Sequence, residues 1–364
     1  MTMQGSVQEL RSDMERNHLI PLWELEAEIM GLVPTPRTRP WLWRWQDLYG
    51  IAERAGELVP VERGGDRRAI ALANPGQGGM PYATSTLWAA VQWLNGREVA
   101  PAHRHTSQAI RFIIDGAGSY STVEGDKVFL ERGDLVLTPP WTWHDHGSES
   151  GERAIWMDVL DIPLNNFLDA PFFENYPQES QPVDKVLNGS VLKYGVGQLR
   201  PAWEKPTRDY PPLMTYKWAD TERALVNLAA VDADPFDDVA LEYTNPHTGG
   251  SVMKTFSCSI QMLRPGIHTR AHRHTGSSVY LAFEGHGATI IDGVRFDWGP
   301  GDMFVIPSWA THEHLNAASD ERAILFAAHD TPLLRLVDKY RVEAAPEPHQ
   351  QVTANFSAVA PDAA

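Results

Sequence analysis

The sequence predicts an all-β protein made of two β-barrel domains, with a mainly helical segment at its N-terminus. Three observations carry that reading: short apolar runs cut by Gly, Asp and Pro, one long internal repeat, and a pair of histidine motifs at matching places in each copy. Residues 1–68 come first. QELRSDMERNHLIPLWELEAEIM has apolar residues at helical spacing, and PTPRTRPWLWRWQDLY follows with aromatic and proline punctuation. From residue 69 to 162 the texture changes to AVQWL, IRFIIDGAG, KVFLERGDLVLTPP and AIWMDVL, which reads as strands joined by tight turns and forms the first barrel. Residues 163–250, opening IPLNNFLDAPFFENYPQESQPV, are proline-rich and are expected to be an irregular connection. Residues 251–342 form the second barrel. The tail, 343–364, offers little to bury and is expected to be mobile.

Composition narrows the function. The 364 residues suffice for two domains with cores of their own, at 43% hydrophobic and 21% charged residues. No apolar run approaches the roughly 18 residues that cross a bilayer, and the polar N-terminus is unlike a secretory signal, so a cytoplasmic protein is expected. A single cysteine, Cys258, excludes an intrachain disulfide framework and any zinc site built on cysteines. The formal charge of −16 argues against a nucleic-acid partner, so a small anion would need specific buried arginines.

The repeat carries the chemistry. AHRHTSQAIRFIIDGAGSYSTVEGDKVFLERGDLVLTPPWTWHDHG recurs as AHRHTGSSVYLAFEGHGATIIDGVRFDWGPGDMFVIPSWATHEHLN. His103 and His105 therefore correspond to His272 and His274, and His144 and His146 to His312 and His314. Two histidines at i and i+2 on a strand project from one face about 6.6 Å apart, a spacing that suits one metal ion. A pair alone is more simply two hydrogen-bonded histidines; a third ligand decides for the metal.

These motifs, HRH followed by GDLVLTPPWTWH or GDMFVIPSWATH, resemble those of the cupin superfamily, whose small barrels (double-stranded β-helices) hold one metal between an HxH pair and a later histidine. The resemblance implies a bicupin with metal ligands His103, His105 and His144, and a possible second set in His272, His274 and His312. Most cupins add a glutamate after HxH, but TSQAIRF has no acid. A three-histidine site leaves positions open for a bidentate anionic substrate and O₂ on Fe(II), and zinc accepts three histidines too. Arg97 stands where cupins usually have glycine, beside Gly96, which leaves room for the entering turn to shift by one residue.

NHLIPLWE, RRAIALANP, LWAAVQ, APAHRHTSQAIRF and TPPWTWHDHG, in that order, resemble the gentisate 1,2-dioxygenases and their salicylate- and 1-hydroxy-2-naphthoate-cleaving relatives over nearly all of the chain. The resemblance implies a homotetrameric enzyme that uses Fe(II) and O₂ to open an aromatic ring between the carboxylate-bearing carbon and the adjacent hydroxylated one, giving maleylpyruvate from gentisate. If the HRH strand runs on without a bulge, Arg111 shares the parity of the ligands and can grip the substrate carboxylate bidentately. Arg67 and Arg63 match family arginines that reach the substrate; without the resemblance RGGDRR reads as a solvated charge run. Trp88 and Ala90 match ring-pocket positions, with Gln108 as a further substrate contact. His146 is placed to hydrogen-bond substrate or oxygen, and Asp158 to orient that histidine. In the second copy Tyr280 stands where the first has Arg111, so ring cleavage is expected in the first barrel and a structural role in the second. Alternatives are the same chemistry on salicylate, nitrosalicylate or 1-hydroxy-2-naphthoate, a non-catalytic storage or ligand-binding bicupin, and a sugar- or oxalate-type cupin enzyme.

Overall fold

The computed structural model describes residues 3–60, 68–196, 199–205 and 210–358. The chain divides into two compact units, Met1–Pro36 and Arg37–Ala364. The first consists of helices Met3–Arg16 and Leu22–Ile29, tied by an Arg11–Glu24 ion pair at 2.7 Å. The second contains both barrels. No described helix is long and apolar enough to cross a membrane.

Each barrel closes from two antiparallel sheets, and the protein is all-β with two barrels, as expected. In the first, strands Trp88–Leu94, Ala109–Asp115, Leu135–Thr138 and Ala154–Leu160 form one sheet, and Val99–His105, Ser119–Val123, Asp126–Leu130 and His144–Ser148 the other. The second barrel repeats this with Ser257–Leu263, Ser278–Glu284, Met303–Ile306 and Ala323–His329 facing His272–His274, Gly287–Ile291, Val294–Trp298 and His312–Leu315.

Period-two alternation then assigns every side chain to one of two environments. On Ala109–Asp115, Ile110 and Phe112 point out of the barrel into a core shared with the second barrel, where Phe112 stacks on Phe326 at 4.2 Å. Cys258 is buried in that same core. Arg111, on the opposite parity, points inward. Burying a side chain such as Phe112 contributes about 1.5–3 kcal/mol, so neither barrel's outer sheet face is independent of the other.

The GD turns have a structural cause. Gly133 and Gly301 sit at φ 87° and 88°, and a Cβ on either would meet the indole of Trp218 at 2.6 Å or of Trp45 at 2.3 Å. The following aspartates, Asp134 and Asp302, accept from the Trp218 and Trp45 backbone N–H groups at 2.8 and 2.7 Å, and each also pairs with a cation, Lys217 or Arg44. The segment around Trp218 extends the first barrel through a strand at Thr215–Tyr216, and that around Trp45 extends the second through Trp41–Trp43. The strand Trp41–Trp43, expected within an N-terminal segment, thus joins the second barrel, and the helix Trp45–Leu58 that follows packs against strands Ala69–Ala71 and Trp88–Leu94 of the first.

Two further expectations change. The stretch 163–250 is not irregular throughout: it carries helices Ile162–Phe167, Gly189–Tyr194 and Trp218–Ala229 and edge strands Phe173–Asn175 and Val239–Glu242. The tail is not free through residue 358: Val342–Ala344 pairs with the HRH strand of the second barrel, as Phe173–Asn175 does with that of the first, and Ala354–Asn355 joins Val294–Trp298. Backbone hydrogen bonding holds the tail together with one aromatic anchor, Phe356, whose ring lies 4.6 Å from that of Phe296 and 5.2 Å from that of Trp41.

The entering turn does not shift. Arg97 occupies the left-handed region at φ 66°, as its counterpart Gly266 does at φ 71°, while a Cβ on Gly96 would come within 2.2 Å of the Gly151 carbonyl. Arg97→Gly should therefore raise stability by roughly 0.5 kcal/mol, the left-handed penalty less glycine's entropy, whereas Gly96→Ala should lower it. Thermal denaturation of the two variants checks both signs.

Candidate active site

His103 and His105 lie on one strand and His144 enters from its neighbour, with His103 directly opposite His144 in the ladder. Their rings face one another, centroids 4.4 to 5.6 Å apart. Each Nδ1 meets a backbone carbonyl: Pro101 at 2.7 Å for His103, Ser107 at 2.8 Å for His105 and Thr142 at 2.9 Å for His144. A carbonyl only accepts, so each Nδ1 carries the proton and each Nε2 presents a lone pair. One ligand atom from each lies within 4.8 Å of the others, and His144 Nε2 is buried without a hydrogen-bond partner among the described residues. An orphaned buried acceptor among two other lone pairs costs free energy unless a cation meets it, so the donor set fits a metal ion. Burial, followed by the neighbouring histidines, holds the His144 pKa well below its ordinary value, in the neutral form that ligation needs.

The arginine between the two ligands points the other way. Arg104 pairs with Glu174 at 2.6 Å and lies 4.5 and 4.3 Å over the rings of Trp141 and Trp143. Arg273 repeats this with Glu343 at 2.9 Å and Trp309 at 4.6 Å. HRH thus combines two ligands facing inward with one cation that clamps the edge strand outside.

Arg111 reaches the cavity, but not by continuity with HRH: the HRH strand ends at His105, and Arg111 belongs to the opposite sheet. It is 5% exposed, donates to Thr138 Oγ1 at 3.0 Å and has its Nε 3.0 Å from Asp158 Oδ1, an ion pair without hydrogen-bond alignment. Asp158 accepts from Trp156 Nε1 at 3.1 Å, and its carboxyl is pushed up to about 6 by burial, partly offset by Arg111. Burial likewise lowers the Arg111 pKa against the opposing pull of Asp158.

Asp158 therefore orients Arg111 and not His146, as had been expected. The partner of His146 Nδ1 is Ser121, whose Oγ is 2.9 Å away; the buried Nε2 of His146 has no hydrogen-bond partner among the described residues. Burial first, and then the Arg111 charge, keep this imidazole neutral.

His103, His105, Arg111, His146 and Asp158 line a cavity of about 450 Å³ with Trp88, Gln92, Leu160, Ile162, Phe172 and Phe173. Phe173 stacks on His103 at 5.2 Å from the edge strand after the barrel. Gln92, Leu160 and Phe173 were not anticipated; the alternation from Trp88 pointed to Gln92, and only strand pairing reveals Phe173. Ala90 shares the face of Trp88 and Gln92, completely buried between them. Gln108 turns away: its amide donates to Asp161 at 3.1 Å and Thr255 at 2.7 Å and accepts from Lys254 N at 2.9 Å, so it joins the two barrels. Arg63 and Arg67 lie outside the described residues. A larger cavity of about 880 Å³, bordered by Lys193, Tyr194 and His247, has no convergent ligand set among the described residues.

The second barrel repeats the cluster with His272, His274 and His312, again within 4.8 Å, in a cavity of about 580 Å³. Where the first barrel pairs Arg111 across strands with Asp158, the second pairs Tyr280 with Ala327. Leu160 is replaced by His329, which is held between Ser259 and Ser278 at 2.7 Å each. A cation does line this cavity, contrary to the reading from the strand alone: Arg335, from the helix Thr331–Leu336, stacked 4.8 Å over Tyr340.

Three inward histidines beside a cavity that also holds a buried arginine fit a bicupin with a metal centre. The cupin-domain model matches residues 91–160 and 259–329. The chain is 40% identical to 5-aminosalicylate 1,2-dioxygenase of Comamonas sp, over 98% of this chain and 95% of that protein. It is also 40% identical to gentisate 1,2-dioxygenase of Streptomyces sp, over 89% and 92%. The structure of salicylate 1,2-dioxygenase from Pseudoaminobacter salicylatoxidans with gentisate superposes at a TM-score of 0.88 and 34% identity, covering 95% of this chain and 96% of that one. The chain belongs to the gentisate 1,2-dioxygenase family and is a ring-cleaving dioxygenase of that type.

Proposed function

We propose that the protein is an Fe(II)-dependent dioxygenase that inserts both atoms of O₂ into gentisate between C1 and C2, giving maleylpyruvate. The observation that supports this reading is one cavity lined by His103 and His105 of the three-histidine cluster together with His146 and the Arg111–Asp158 pair. Iron held by His103, His105 and His144 supplies activation of O₂ and a Lewis-acid site for the ortho-hydroxycarboxylate. Arg111 binds the carboxylate through its guanidinium, and Asp158 and Thr138 fix the plane of that fork. Trp88, Leu160 and Phe173 enclose the ring and exclude water. His146 Nε2 holds or passes a proton at the substrate's oxygen, its orientation set by Ser121. Arg67 and Arg63 complete the carboxylate contacts and Ala90 the ring pocket, in a cytoplasmic homotetramer whose first barrel is catalytic and whose second is structural.

A second reading has specific support. The relative that aligns over 98% of this chain is named for 5-aminosalicylate, so an amino group in place of the 5-hydroxyl is the main alternative substrate. The test is a panel of gentisate, 5-aminosalicylate, salicylate, 5-nitrosalicylate and 1-hydroxy-2-naphthoate, followed by oxygen uptake and product ultraviolet spectra. The expected result is the highest kcat/KM with gentisate. A higher value with 5-aminosalicylate would transfer the assignment, and no uptake with any acid would leave a ligand-binding bicupin.

A further inference from the structure

We propose that a site for a divalent transition metal lies on the outer wall of the second barrel, held by His268, Glu313 and His349 and distinct from both inward clusters. One ligand atom from each of the three lies within 4.8 Å of the others. Glu313 stands between His312 and His314, so alternation along the strand turns it out of the barrel while they face in. Its carboxylate is nevertheless fully buried, because the tail passes over it: Gln350 N–H donates to both oxygens at 3.1 Å, and His268 Nε2 lies 3.1 Å from Oε1. The exposed His349 stacks on His268, ring centroids 3.9 Å apart.

The first barrel is an internal control for what this arrangement needs structurally. There Asp145 takes the place of Glu313 and accepts from Gln181 N at 3.2 Å, the counterpart of Gln350. The glutamine amides make matching contacts, with Thr122 O and Gly125 N in one barrel and Ile290 O and Gly293 N in the other. A shift of 169 residues puts Val99 at the place of His268 and Ser180 at that of His349. The carboxylate and glutamine therefore fasten the strap unaided. The second copy adds two imidazoles and a carboxylate longer by one methylene.

A simple ion pair would use only one of those imidazoles and gives His349 no part. Two imidazoles and a carboxylate are a donor set for Zn²⁺, Ni²⁺ or Cu²⁺. Stacked rings present their lone pairs side by side, and rotation of the exposed His349 about its side-chain bonds brings its nitrogen to the gap beside Glu313. A bound ion would cross-link the tail to the barrel wall.

The test is equilibrium dialysis of the full-length, iron-loaded protein against Zn²⁺, comparing wild type with His268→Val/His349→Ser, which installs the residues the first barrel carries in the same frame. Wild type should bind one equivalent of zinc more per chain than the double variant, with iron content and ring-cleavage rate equal in both. The single variant His349→Ser, at an exposed position, should weaken that extra zinc at least tenfold. Equal zinc stoichiometry and affinity in wild type and both variants would overturn the proposal.

Discussion

His105→Ala should abolish metal binding in the first barrel and, with it, all oxygen uptake. The three histidines offer Nε2 atoms pre-oriented by the carbonyls of Pro101, Ser107 and Thr142. With one imidazole gone the remaining two compete poorly with water for Fe(II), and no acid follows HRH to stand in. Metal analysis of the variant decides the matter: first-barrel iron at wild-type stoichiometry together with full turnover would remove these residues from the reaction.

Arg111→Lys should lower kcat/KM by about ten- to a hundredfold, the 1.5–3 kcal/mol of a charged hydrogen bond, with iron content unchanged. Lysine keeps the charge but cannot donate to Thr138, face Asp158 and bind a carboxylate with one rigid fork. The loss should appear with every ortho-hydroxycarboxylate and not depend on the 5-substituent. Steady-state kinetics across the panel check this, and unchanged constants would place the carboxylate elsewhere.

The histidine clusters were legible because their spacing occurs twice, at a register of 168 to 169 residues. Arg111 was legible for a different reason from the one first apparent: residue parity along a single strand happens to agree with inward parity on the opposite sheet. What strand pairing alone supplies was missed. Asp158 faces Arg111 across the ladder at a separation of 47 residues, and Phe173 meets His103 only because an edge strand folds back on HRH. The tail was misread although a signal existed: PQESQPV after the first barrel and PEPHQQV after the second share Pro, Gln and Val at one register. Little of that segment is apolar, so a criterion based on burial passes over it, while Gln181 and Gln350 bind their barrels through backbone groups. Gln108 was misassigned because its neighbourhood in sequence is the site, yet its side chain reaches the other barrel.

We propose that ring cleavage belongs to the first barrel. It is tested most directly by oxygen uptake with gentisate in the variant His272→Ala/His274→Ala, with iron measured on the same sample. Turnover should stay near wild type, with the iron of His103, His105 and His144 in place. A folded, assembled variant that keeps that iron and loses turnover would contradict it.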